Sequence, residues 1–279
     1  MMADKRRWNA GTVVEYAFLI IMCIICVVPF VWTFFSATQN STQIWQTGMA
    51  FHFGGNLRQN YQDLLQYTHL WKNMWNSAVI AIVYTVLVCI VDAMAGYAFA
   101  KFVFKGREAI FFLCMTALFI PASVTMIPLY IMMSGMKLVD SAWGVILPAG
   151  AGIFGVFFMR QSLMDYPDEL LESARMDGAS ELRIFLQIVL PVLKPSIAAL
   201  SILSFVQRWG DYLWPMIVLR TNENQTMPVT LALMITPGTA IKYGAVLLGA
   251  CISLAPILIL FLVLQKNFID GMMAGALKG

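Results

Sequence analysis

Little of this chain is charged. Asp, Glu, Lys and Arg make up 12% of its 279 residues, against about a quarter in ordinary soluble domains. That shortage excludes a disordered chain, a basic nucleic-acid binder and an ordinary soluble enzyme; with a net charge of only +3, no nucleic-acid partner is expected. Reactive patterns are missing too. There is no Gly-x-x-x-x-Gly-Lys-Ser/Thr phosphate loop, no Gly-x-Ser-x-Gly and no His-Glu-x-x-His, so any ATP chemistry is expected on another chain. His52 and His69 stand apart without neighbouring ligands, and no metal site or catalytic residue is expected. The five cysteines are too few for a disulfide scaffold. Cys23-x-x-Cys26 has the spacing of a zinc or redox pair but lacks a second pair, and reads as two buried thiols on a membrane helix.

Apolar residues fill the chain instead: 60% belong to the set AVILMFWYC, and the mean hydropathy is +0.75. Six runs, 13–35, 74–100, 108–133, 141–160, 184–212 and 243–265, are long enough to cross a bilayer at about 20 residues per span. In lipid, every backbone polar group must be satisfied internally, which selects helices. The expected fold class is therefore an all-α membrane protein with six transmembrane helices. The first run is too long for a signal-peptide core and reads as a retained span. Twelve of the 18 Lys and Arg residues fall on the inner side if both termini are cytoplasmic, which sets the expected orientation.

Two segments interrupt the spans. In 36–73, Asn56 is placed to cap an amphipathic helix that carries Leu57, Tyr61, Leu64 and Leu65 on one face and lies at the membrane interface. Prolines punctuate the spans at Pro29, Pro121, Pro128, Pro148, Pro191, Pro195 and Pro256, and Gly144, Gly150, Gly152 and Gly155 line the fourth. Small residues there let another helix approach closely.

The second segment, 160–183, concentrates charge of both signs. Pro167 suits a first helical position, and Asp168 and Glu169 suit the positive end of a helix dipole. Gly178 can take the left-handed conformation that stops the helix, and Ser180 can cap the next one. Leu170, Leu171, Ala174 and Met176 give the helix an apolar side shaped for another protein's groove. Its excess of acid over base suits a lipid surface less well.

Glu172-Ser173-Ala174-x-x-Asp177-Gly178-Ala179, followed by Phe185, Ile188, Leu190-Pro191 and Pro195, resembles the EAA loop of binding-protein-dependent ABC importer permeases, with Ser173 in place of the usual alanine. Further matches are Asn76-Ser77, Gly96-Tyr97-Ala98-Phe99-Ala100, Ile127-Pro128-Leu129-Tyr130, Trp209-x-Asp211-Tyr212-x-Trp214-Pro215 and the tail around Ala274-Gly275-Ala276. From about residue 71 onward the chain resembles the carbohydrate-uptake branch, in particular its maltose-type second permease subunit. Gly210 departs from the pattern, where relatives often carry Asn.

The resemblance implies a type I importer permease of the bacterial plasma (inner) membrane, itself not an enzyme. It implies a second homologous permease, two cytoplasmic ABC ATPase subunits and an extracellular or periplasmic sugar-binding protein as partners, besides membrane lipid. ATP and Mg would be bound by the ATPases, and no cofactor by this chain. Glu172, Ser173, Ala174, Asp177, Gly178 and Ala179 would couple to an ATPase, with Lys278 and Gly279 as candidate tail contacts. The expected organisation is 1–70 (tail, first helix and outer loop), a core at 71–265 with the coupling helix at about 167–178, and a tail at 266–279. Arg208, Trp209, Asp211 and Tyr212 are candidates for a substrate path or gate, against a structural ion pair; the aromatics around them can stack on sugars or form an interfacial belt. Asp92, deep in the second span, can serve either the fold or a contact with the partner permease. A permease for a polyol or sugar-phosphate ester is the neighbouring alternative. A self-sufficient secondary transporter, which would need its own ion-coupling site, is the alternative of a different class.

Overall fold

The structure is a computed structural model and describes residues 10–236 and 241–276, apart from the side chains of Ala10, Leu264 and 266–276. Among these residues the chain is helical, without strands. In order the helices are α1 (Ala10–Ser36), α2 (Ser41–Thr47), α3 (Leu57–Tyr67), α4 (Leu70–Lys101), α5 (Arg107–Thr116), α6 (Ala122–Gly135), α7 (Ala142–Ile146), α8 (Ile153–Met164), α9 (Asp168–Met176), α10 (Glu181–Ile184), α11 (Leu190–Val192), α12 (Lys194–Gly210), α13 (Leu213–Val218), α14 (Met227–Leu233) and α15 (Tyr243–Ala276). The described residues form two compact units, 10–67 with 234–236 and 241–252, and 68–233 with 253–276. Residues 234–236 and 241–252 thus group with the N-terminal segment.

Three of the six expected spans are continuous: α1 from Gly11, α4, and α15 as far as Val263. The other three are broken. α5 and α6 meet at 103°, α7 and α8 at 46°, and the segment Glu181–Val192 meets α12 at 78°. Local chemistry places each break. Pro121 pushes Ile120 into an extended conformation (φ −82°, ψ 116°) between α5 and α6. Gly150 and Gly152 flank the second break, just after Pro148. Leu193, with ψ at −5°, forms the third, two residues before Pro195. A π-helical turn, Phe185–Val189, immediately precedes Leu190-Pro191. By contrast, Pro29, Pro128 and Pro256 lie inside α1, α6 and α15. Apolar length alone locates the six runs but does not see that three are single helices and three are bent pairs.

In the first unit, α1 is exposed along most of its length, and Cys23 and Cys26 are exposed free thiols rather than buried ones. Asn40 and Gln43 form a reciprocal capping box at α2, with bonds of 2.8 and 3.0 Å. The Asn60 side-chain amide donates to the carbonyls of Ala37 (2.8 Å) and Gln39 (2.9 Å). These bonds set the rotation of α3. Asn60, Asp63 and Leu64 are buried while Leu57 and Leu65 are exposed, so the expected apolar face is turned. The Asn56 amide donates to Gln43 Oε1 and the Gly54 carbonyl.

In the second unit, α4 is the central helix, and its most extensive packing is against α8 and α12. Ile80, Val88, Ala93 and Tyr97 on α4 join Met159, Leu163, Val189 and Leu200 in one core. Gly96 makes the α4–α8 contact close: a Cβ there would lie 2.5 Å from Met159 Cβ and 2.9 Å from the Arg160 nitrogen. Gly150 packs under Leu87, and Gly152 and Gly155 under Asp92, so the glycine row does admit a neighbouring helix. Exposed Phe112, Leu113, Val124, Ile127 and Ile131 on α5 and α6 form an apolar surface suited to lipid or to another membrane protein.

At the start of α4, polar side chains hold the loop before α14. Asn73 donates to the carbonyls of Asn222 and Gln225, each at 2.9 Å, Asn76 to that of Glu223 at 2.7 Å, and Ser77 Oγ accepts the Met227 N–H at 2.8 Å. Asp140, at φ +61°, pins the same loop by accepting the N–H groups of Arg220 (2.8 Å) and Thr221 (3.0 Å). Burial pushes the Asp140 carboxyl upward, but the bonds from Thr221, Arg220 and Asn224 outweigh it and hold the pKa below its ordinary value.

Two outcomes are expected. Gly96→Val should lower stability by about 1–3 kcal/mol or more, because the α4–α8 contact has no room for a branched side chain; the thermal midpoint in detergent measures this. Asp140→Asn should be less stable than the unsubstituted protein at neutral pH. Because the folded pKa is depressed, the stabilisation is fully present above the ordinary carboxylate range and fades as pH falls through the folded value. The difference in midpoint should therefore shrink as the pH is lowered below the ordinary carboxylate range.

Candidate functional site

The segment between α8 and α12 has a defined geometry. Pro167 sits one residue earlier than the sequence suggested, as the N-cap (φ −60°, ψ 128°), so α9 starts at Asp168. Asp168 and Glu169 occupy its first turn and Arg175 its last, each complementing the helix dipole. Gly178 stops the helix at φ +79°. Its N–H donates to Arg175 O and that of Ala179 to Ala174 O, both at 3.0 Å. These are the two bonds of a Schellman motif. The Ser180 hydroxyl accepts the Arg183 N–H at 3.4 Å and caps α10.

Burial sorts the faces of α9. Leu171 is fully buried and Ala174 packs on the same core. Leu170 and Met176 are exposed, together with Glu172, Ser173, Asp177 and Gly178. The expected apolar face is therefore divided: Leu171 and Ala174 attach the helix to its own chain, and Leu170 and Met176 face outward beside Glu172 and Ser173. Ala179 also packs against the core.

Both ends of α9 are tied to the last turns of α4. Lys101 Nζ donates to Asp168 at 2.7 Å and to the Tyr166 carbonyl at 2.6 Å. The Lys101 side chain is 3% exposed and that of Asp168 69%. Only the Asp168 side of the pair is in solvent, and the contact acts on position: it leaves the buried ammonium two oxygens and one orientation. At the other end, Arg175 Nε donates to Glu181 Oε1 at 2.7 Å, and the Tyr97 hydroxyl donates to Glu181 Oε2 at 3.0 Å. The Glu181 contact raises the Arg175 pKa further, which keeps the guanidinium charged. A cleft of about 350 Å³ lies between the two ties, lined by Lys101, Phe102, Val103, Asp168, Glu172, Arg175 and Glu181. Beside this frame, Arg160 Nη2 donates to both carboxylate oxygens of Glu108 (2.7 and 2.9 Å) and the guanidinium stacks over Phe111, joining α8 to α5.

The second group of candidates lies at the far end of α12. Arg208 pairs with Asp211 at 2.8 Å, and its guanidinium sits 4.2 Å from the centre of the Tyr84 ring. Asp211 is the first residue after the helix rather than part of it. Trp209 points elsewhere: it is buried with Phe205 and Ala81 and donates to the Ser253 carbonyl at 3.1 Å. Trp214 is buried and donates to the Gly144 carbonyl at 3.1 Å. Phe205, Trp209 and Trp214 thus belong to the core, not to an interfacial belt or a sugar-stacking surface; Tyr212 is exposed. Asp92 is completely buried within its own unit, which removes a contact with a partner permease from its roles. Among the described residues no group of three or more His, Cys, Asp or Glu side chains is placed to hold a metal. Lys278 and Gly279 lie outside the described residues.

Residues 93–273, more than half of the chain, match the family described as the binding-protein-dependent transport system inner membrane component. The chain belongs to this family. The matched region of this permease begins on α4 and includes α9 with both of its ties. The permease is 41% identical to the arabinooligosaccharides transport system permease protein AraQ of Halalkalibacterium halodurans, over 75% of each chain. It is 31% identical to the lactose transport system permease protein LacG of Rhizobium radiobacter, over 100% of each chain. It is 28% identical to the sn-glycerol-3-phosphate transport system permease protein UgpE of Escherichia coli, over 97% of this chain and 98% of that one. A bacterial ABC transporter involved in the import of the acidic polysaccharide alginate shares the fold, with a TM-score of 0.79 and 24% identity over 96% of this permease and 100% of that chain. The fold is accordingly that of a type I importer permease, and the chain is an inner membrane component of a binding-protein-dependent transport system.

Sequence reasoning located α9 but passed over the residues of the permease that hold it. Tyr97 lies within the motif Gly96-Tyr97-Ala98-Phe99-Ala100, and Lys101 directly follows it. One signal was available: Tyr97 and Lys101 are four apart, on one face of the end of α4. Gly178→Val should loosen the turn, since a β-branched residue resists a positive φ. Open space surrounds the position, so Gly178→Ala should suffer only the backbone cost of about 1–2 kcal/mol. Limited trypsin digestion in detergent, read at Arg175 and Arg183, should show cleavage rising from the unsubstituted protein to Ala to Val.

Proposed function

We propose that this permease forms half of the translocation path of an ATP-driven importer for a sugar or oligosaccharide, and that a cytoplasmic ABC ATPase grips it through α9. The observation that carries this reading is the construction of α9: a short helix that exposes Leu170, Glu172, Ser173 and Met176 while Lys101 and Tyr97 tie both of its ends to the central helix. A groove that holds the exposed face would move α4 with it. ATP-driven closure of two ATPases would then bias the membrane helices between inward-facing and outward-facing states.

The remaining parts follow from that reading. A second, homologous permease completes the path, and an extracellular or periplasmic binding protein delivers the sugar. ATP and Mg reside on the ATPases. Both termini are cytoplasmic, on the distribution of Lys and Arg, which puts α9 on the ATPase side, and Lys278 and Gly279 are further candidate contacts for the same partner. Arg208 and Asp211 act as a structural pair near the far end of the path. The names of AraQ and LacG support a carbohydrate substrate. The similarity to UgpE over nearly the full length supports a polyol phosphate ester as the second reading.

Proteoliposomes containing this permease, its partner subunits and the binding protein test the reading, with ATP trapped on the ATPase side. ATP-dependent uptake of an arabinooligosaccharide or lactose is expected; uptake of glycerol 3-phosphate alone would select the second reading. Uptake by this chain alone, driven by an ion gradient, would overturn both. Glu172→Lys should reduce co-purification of the ATPase about tenfold, in line with loss of one charge contact at a docking face.

A further inference from the structure

Asp92 is a carboxylate at membrane depth, completely buried among α4, α8 and α12. Such a group is expensive in a bilayer and calls for a physical reason. The reason lies opposite it, at the break in the fourth span. A helix that starts inside the membrane has N–H groups without intrahelical carbonyls, and no water in lipid to satisfy them. α8 starts in this way at Gly152–Ile153. Asp92 Oδ1 accepts the Gly152 N–H at 2.9 Å. Oδ2 has no hydrogen-bond partner and lies against the first turn of α8, where the helix dipole is positive. The glycines make room for it. A Cβ on Gly152 would stand 3.0 Å from Oδ2, and one on Gly155 would overlap the carboxylate, with Leu200 of α12 closing the other side.

We propose that Asp92 is the positioning residue of the transport cycle that holds the broken fourth span, with its carboxylate taking the place of the missing helical carbonyls at the start of α8. The two pieces of that span, α7 and α8, then keep their 46° bend because one ends in a glycine linker and the other begins on an anchored anion. α8 runs on into the segment that carries α9, so the anchor fixes the membrane end of the same rod whose other end an ATPase would move. The transport part of this inference rests on the importer reading above; the anchoring part does not.

The assembled transporter in proteoliposomes tests it, with substrate carried per ATP hydrolysed normalised to the amount of complex. Asp92→Asn keeps an acceptor oxygen and should stay within about twofold of the unsubstituted complex. Asp92→Leu fills the same space without an acceptor and should lower the ratio about tenfold, the effect expected when a buried N–H loses its partner. Amide hydrogen exchange over residues 150–156 should be unchanged in the Asn variant and faster in the Leu variant. A role in packing alone would favour Leu over Asn in an apolar interior, so equal ratios and equal exchange for the two variants would overturn the proposal. If the Leu variant does not assemble, Gly155→Ala provides the second test. Its added methyl should crowd the carboxyl off the Gly152 N–H and speed amide exchange over residues 150–156; unchanged exchange in that variant would also overturn the proposal. Absence of ATP-driven uptake by the unsubstituted complex would instead count against the importer reading, and the exchange measurement would still decide the role of Asp92.

Discussion

Gly96 lets α4 approach α8 until a methyl group would fall 2.5 Å from Met159 Cβ, and the second unit is arranged around that contact. With the two helices so close, Asp92 reaches the start of α8 and Tyr97 and Lys101 reach the frame of α9. Arg160, on the same stretch of α8, reaches Glu108 at the start of α5. Dispersion between closely packed backbones is what small residues provide in lipid, where apolar side chains gain little by leaving one apolar solvent for another. The polar contacts are then made at fixed places along a rigid pair.

That pair has polar fastenings at both ends and one in the middle. At the start of α4, three side chains hold the loop 222–227. In the middle Asp92 holds the break, and at the end Lys101 and Tyr97 hold α9. Most of these fastenings join a helix to irregular backbone, Lys101 through the Tyr166 carbonyl, whereas Tyr97 meets the Glu181 side chain. A membrane protein tolerates irregular backbone only where its own side chains satisfy the N–H and carbonyl groups, so the few polar residues in α4 sit where the chain leaves helical geometry.

The sequence made some of this legible and hid the rest. Gly178 as a helix stop and Ser180 as a cap were readable, because both depend on interactions within a few residues. The position of α9 followed from local capping and from the motif around Glu172. The division of its apolar face was not readable. Leu170, Leu171, Ala174 and Met176 are alike in composition, and only packing decides that Leu171 and Ala174 turn inward. The same holds for Trp209 and Trp214: an aromatic near a span end suits a belt, a sugar platform or a core equally well until its neighbours are known. The orientation of α3 was misjudged because Asn60 bonds to carbonyls more than 20 residues earlier.

By itself the sequence determined the class of protein, six apolar runs long enough to cross a membrane and the exposed helix between the fourth and fifth. These follow from apolar run length and from local caps, which depend on residues close together in the chain. Only the tertiary structure decided that three crossings are broken, that α4 is central, and that Asp92, Tyr97 and Lys101 act on α8 and α9. Those facts depend on which residues meet across 60 to 84 positions of sequence, and such meetings are set by the packing of helices.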